Sequence, residues 1–148
     1  MRYFISIIII LCGFILSVLL NMNGLLSYLD LHSFILVGLF PFLFVSTLIG
    51  FKKMKSAFLI FRNKKPEKDT LMQALHFFKT YGKATWITGL IALMIEAIGI
   101  LTNLEDAAAL GPNLAYALLC PFYSGLINMV IVMPYTVFIK KQKNVFYR

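Results

Sequence analysis

Apolar residues run almost unbroken over four stretches of this chain, about 4–20, 33–50, 85–102 and 114–139. Each is long enough, at ~1.5 Å per residue, to cross most or all of a ~30 Å hydrocarbon core as a helix. Polar residues interrupt the last two in a regular way. In the third stretch Thr85, Thr88, Gly89, Ala92, Glu96, Gly99 and Asn103 recur at steps of three and four and share one helix face. The fourth carries Asn113, Ala117, Cys120, Ser124 and Asn128 in the same rhythm. Two helices with small and polar stripes are expected to line a common path. Glu96 is the sharpest feature, because a charge near a bilayer centre costs on the order of 3 kcal/mol and normally faces a bundle interior or water.

The segments between the apolar stretches fix an expected topology. All 14 Lys and Arg fall at Arg2, between Lys52 and Lys83, or in the tail from Lys140 to Arg148. The segments Asn21 to His32 and Asn103 to Asn113 have none, and carry Asp30, Glu105 and Asp106 instead. Such asymmetry predicts that both termini and the middle loop lie in the cytoplasm, and the four spans alternate accordingly. The first stretch is read as a retained span rather than a signal peptide, because no small-x-small cleavage pattern follows it. Within the loop 52–83 two short helices are expected around NKKPEK. In the second of them, after an N-cap at Asp69 or Thr70, Leu71, Leu75, Phe78 and Tyr81 form an apolar stripe. That stripe suits the membrane interface, a neighbouring element or a partner protein.

Composition supports the class and removes others. With 148 residues, 60% of them hydrophobic, and a mean hydropathy of +0.85, the chain reads as one all-α integral membrane domain, four transmembrane helices with a short cytoplasmic helical insertion. The net charge of +8 sits at membrane boundaries and is not a nucleic-acid signal. Cys12 and Cys120 both fall within apolar stretches, as packed thiols do, and His32 and His76 have no second ligand at metal spacing. No phosphate loop, nucleophile motif or metal signature is present, so neither an enzyme nor a cofactor is expected.

The run ILTNLEDAAALGPNLAYALL from Ile100 to Leu119, with Tyr123 and Pro134 beyond it, resembles the MotA/TolQ/ExbB family, and its MotA branch most. Chains of that branch show a similar NLDD-x-x-ALG turn, LA-x-ALL helix start, nearby Tyr and terminal Pro. YLDLHSFILVG at Tyr28 to Gly38 and FKKMKSAF after the second span resemble the family more weakly. The resemblance implies a short form in the bacterial inner membrane, five copies forming a ring around a single-span, aspartate-bearing partner of the MotB/TolR/ExbD kind. The third and fourth helices would then line the central pore of an ion-driven motor or proton channel. Leu93, Cys120 and Pro121 stand where the family has threonines, and only the short loop from Lys52 to Lys83 stands where MotA has a large cytoplasmic region.

Glu96, three positions from Leu93, is read as the group that replaces those hydroxyls, helped by Thr85, Thr88 and Ser124. The alternative is a protonated Glu96 hydrogen-bonded between subunits as a packing device. Two further functions stay open from the sequence: a small proton-coupled four-span transporter using Glu96 as a dimer, and a non-conducting scaffold on the same fold.

Overall fold

The computed structural model describes residues 2–20, 25–60, 66–102, 104 and 107–146, and among these every regular element is helical. Helix α1 is Arg2–Leu20 and is followed by a 3-10 turn at Leu25–Tyr28. Helix α2 is Leu31–Ile49 and α3 is Phe51–Leu59. Helix α4 is Lys68–Thr102. Helix α5 covers 107–146, made of Ala107–Ile127, a π turn at Asn128–Val132 and Met133–Phe146.

Helices α2, α4 and α5 are long and apolar enough to cross a membrane. Helix α1, on the first expected span, has 19 residues with a shorter apolar stretch at Ile7–Leu20. It leans on α5, with Phe14 edge-on to Phe122 at 5.9 Å between ring centroids.

Local chemistry sets the helix ends. Asp30 caps α2 by accepting the Ser33 backbone N–H at 2.8 Å, which satisfies a donor left free in the first turn. Gly50 ends α2 at φ +94°, a conformation that costs little only without a Cβ, and the next residue already begins α3. The one-residue corner folds α3 back against α4.

Both π turns have the same cause. In α2 the turn Ile35–Leu39 lies just before Pro41, and in α5 the turn Asn128–Val132 lies just before Pro134. A proline ring clashes with the carbonyl four residues back and removes one donor. The residue before each proline bonds one position further back instead: Phe40 N–H to Ile35 O, and Met133 N–H to Asn128 O. A proline inside a helix usually bends it, and at Pro41 the widened turn is how α2 accommodates it.

The expected pair of helices, one in the loop and one in the third span, is a single helix. At ~1.5 Å per residue the 35 residues of α4 reach about 52 Å, so its first third extends beyond a ~30 Å hydrocarbon layer. On that extension Leu71, Phe78 and Tyr81 are buried and Leu75 is half-buried. The stripe therefore faces the chain's own interior, where Phe42 of α2, Phe58 of α3, Phe77 and Phe78 of α4 and Tyr135 of α5 form an aromatic cluster. Phe78 and Tyr135 lie 4.6 Å apart, and Phe58 stands edge-on to Phe78 at 5.4 Å and to Phe77 at 6.0 Å. The Tyr81 hydroxyl, inside this cluster, donates to the Gly38 carbonyl at 3.1 Å and ties α4 to α2.

Candidate functional site

The polar stripes of α4 and α5 meet. Gly82 and Gly89, seven residues apart on α4, let α5 approach until no side chain fits between them. A Cβ on Gly82 would lie 2.6 Å from Asn128 Oδ1 and 2.8 Å from a Val132 methyl. One on Gly89 would lie 1.9 Å from Ser124 Oγ. Ser124 Oγ donates to Thr85 O, across the seam, at 3.0 Å, and lies 3.1 Å from Cys120 O of its own helix. Asn128 Nδ2 donates to Ser124 O at 2.9 Å and reaches Gly82 O at 3.3 Å. The Thr85 hydroxyl donates to Tyr81 O at 2.8 Å. Thr85, Ala92, Ala117, Cys120 and Ser124 are all buried.

Toward the other end the seam opens. A Cβ on Gly99 or Gly111 would meet nothing within 4 Å, and residues 111–116, Asn113 included, are exposed. Glu96 lies where the closed seam gives way to these exposed positions. It is half-buried, and no described residue donates a hydrogen bond to its carboxylate. Around it Ile91, Met94, Ile95 and Ile98 are exposed and apolar. Of the other residues singled out from sequence, Thr88 and Asn128 are half-buried and Gly99 is exposed. Asn103, Glu105 and Asp106 lie outside the described residues.

The folded chain adds a group that no helical pattern brings together. Cys120 has the Ser33 hydroxyl beside it and lies within electrostatic reach of both Glu96 and Asp30. Ser33 is buried, and its hydroxyl donates to Asp30 Oδ2. That bond leads the effects that hold the Asp30 carboxyl below the ordinary carboxylate range, against a partial burial that opposes it. Tyr123 clamps the same corner: its hydroxyl accepts the Asp30 N–H at 2.9 Å and donates to Tyr28 O at 2.6 Å. Tyr28, Asp30 and Ser33 thus join the start of α2 to the middle of α5, about 90 residues away. In sequence Asp30 reads as an acid of the segment before the second span and Ser33 as that span's first residue, since local pattern carries no information on what packs over them.

The arrangement offers a carboxylate without a hydrogen-bond donor among the described residues, a buried thiol within its electrostatic reach, and a capped carboxylate at the start of α2. Such groups can pass or hold a proton or a monovalent cation. Among the described residues no three His, Cys, Asp or Glu side chains come together as a metal site.

These helices define an all-helical protein with three helices suited to crossing a membrane. No protein-family model matches the chain. Chemotaxis protein PomA of Vibrio alginolyticus is similar to it, at 27% identity over 62 residues. The match covers 42% of this chain and 24% of PomA, so it spans about a quarter of that relative's length.

Proposed function

We propose that the chain is a ring-forming subunit of an ion-driven membrane motor or cation channel of the MotA-like kind, with Glu96 as its ion-handling carboxylate. On this reading it sits in the bacterial inner membrane with α1 as a fourth span and its basic ends in the cytoplasm. It surrounds the helices of a single-span partner. The observation that carries the proposal is the position of Glu96 where the closed seam gives way to exposed positions, with no hydrogen-bond donor to it among the described residues. A carboxylate left against lipid there would cost on the order of 3 kcal/mol, so a neighbouring subunit, a partner helix or water is needed to cover it. The similarity to PomA supports the same class loosely, through a short stretch.

In this role the closed seam is a hinge-free backbone for the subunit, since its hydroxyls are committed to carbonyls of the two helices. Ion handling is left to Glu96, with Gly99 toward the exposed end and Thr88 and Cys120 toward the closed seam. The deciding experiment measures subunit count in native lipid together with partner-dependent cation flux. Five copies, and a flux removed by Glu96→Gln at unchanged protein level, are expected. Two copies with substrate-coupled proton uptake would replace the proposal with a small transporter, and a flux indifferent to Glu96→Gln would remove Glu96 from it.

A further inference from the structure

At the basic end of the α4–α5 pair lies a groove of about 510 Å³ that the ion-handling reading does not use. Lys79 and Lys83, one turn apart on α4, line one wall, and Thr136 and Lys140, one turn apart on α5, line the other. His76 stands at its outer end, and the ring of Trp86 borders it toward the apolar part of α4. No carboxylate is among the lining residues, and no described acid forms a salt bridge with any of the three lysines. Three cations are thus gathered in one concave place without counter-charge, which is an anion site in the making.

The position selects the kind of anion. Trp86 is 45% exposed and is followed along α4 by exposed Ile87, Leu90 and Ile91. An indole at the boundary between a charged and an apolar surface is the usual mark of the headgroup level. Asn128 and Val132 close the groove floor, where the Gly82 contact brings the two helices together. A ligand held here has its polar part between lysines and its other end directed along an apolar helix face. A soluble phosphate compound would use only the first of these features.

We infer that this groove binds the phosphate headgroup of an anionic phospholipid, seated between Lys79 and Lys83 of α4 and Lys140 of α5, with its acyl chains along Trp86 and the apolar face beyond. Basic pockets between transmembrane helices hold such headgroups, and a lipid with two phosphates matches three lysines better than a lipid with one. The inference rests on α4 and α5 crossing the membrane and not on ion conduction, so it stands or falls separately from the role of Glu96.

The test is native mass spectrometry of the full chain released from detergent in the presence of cardiolipin, phosphatidylglycerol or phosphatidylethanolamine. Cardiolipin adducts are expected to survive activation that strips phosphatidylethanolamine. At about 1 kcal/mol per lysine, Lys83→Gln with Lys140→Gln is expected to weaken cardiolipin binding about 30-fold. The Lys83→Arg, Lys140→Arg pair should retain binding, as should Lys52→Gln with Lys55→Gln, which changes equal charge outside the groove. An unchanged affinity in the groove pair, an equal loss in the control pair, or equally tight phosphatidylethanolamine would overturn the inference. Displacement of cardiolipin by millimolar inorganic phosphate would assign the groove to a soluble phosphate compound instead.

Discussion

Gly89 and Ser124 occupy each other's space: a Cβ on the first would stand 1.9 Å from Oγ of the second, which itself donates to Thr85 O. The hydroxyl of Ser124 is therefore packed where an alanine methyl would otherwise sit, and the closest approach of α4 and α5 depends on both residues. Gly89→Ala is expected to destabilise the detergent-solubilised protein by about 1–3 kcal/mol, the usual range for overpacking a filled core. Ser124→Ala removes the worst of the overlap and leaves Ser124 Cβ at 3.0 Å and Cys120 O at 3.2 Å. The double variant should recover part of the loss, read as a positive coupling in thermal unfolding. Strict additivity would show that the seam does not pack as described.

Glu96 gives the opposite signature. Among the described residues no donor reaches this carboxylate, so under the proposed role Glu96→Leu is expected to hold or raise thermal stability while abolishing partner-dependent flux. A fall in stability of the assembled protein on Glu96→Leu, with flux retained in Glu96→Gln, would instead mark Glu96 as a packing device between subunits.

The Asp30 corner supplies a pH dependence. Its carboxyl is held below the ordinary value of about 3.9 chiefly by the Ser33 hydroxyl, so the folded state binds its proton less readily than the unfolded chain does. The resulting stabilisation is full above that ordinary value and is lost as pH falls through the lower, folded one. Unfolding measured from pH 6 to pH 3 should show this acid-side decline in the wild type, and Asp30→Asn should lack that part of it. Identical profiles for the two proteins would refute the link.

The aromatic cluster anchors the extension of α4. Phe77 is fully buried, with Phe42 and Phe58 edge-on to it at 6.0 Å each. Phe77→Ala should cost about 3–5 kcal/mol, as large-to-small changes in packed cores do. Limited proteolysis is expected to cut α3 and the start of α4 in this variant at lower protease than in the wild type. Protection equal to the wild type would place the cluster outside the stabilising core.

Much of the molecule was legible in its residues, and the gaps have a common origin. Hydrophobic runs gave α2, α4 and α5, and the three-four spacing put Thr85, Thr88, Gly89, Ala92, Glu96 and Gly99 on one face, while Gly82 emerged only from the packing. Periodicity names a face and is silent on what covers it. A polar stripe that lines a pore and one that forms a helix seam have the same spacing, and only the overlap at Gly89 and the bond from Ser124 to Thr85 identify the seam here. The stripe from Leu71 to Tyr81 shows the same ambiguity, since its partners Phe42, Phe58 and Tyr135 come from three other helices. The π turns were legible only as prolines, because the register shift arises in the backbone before them.

Helix α4 runs from Lys68 to Thr102 with no proline within it. It is a single uninterrupted rod whose two ends are chemically different places: Glu96 toward one end, Lys79 and Lys83 toward the other. About 26 Å separates Glu96 from Lys79 at ~1.5 Å per residue, so a tilt of about 5° pivoting at the carboxylate sweeps the basic arm through about 2 Å. Under the proposed role, work done at Glu96 would reach the basic end as displacement, with no proline joint in between to absorb it.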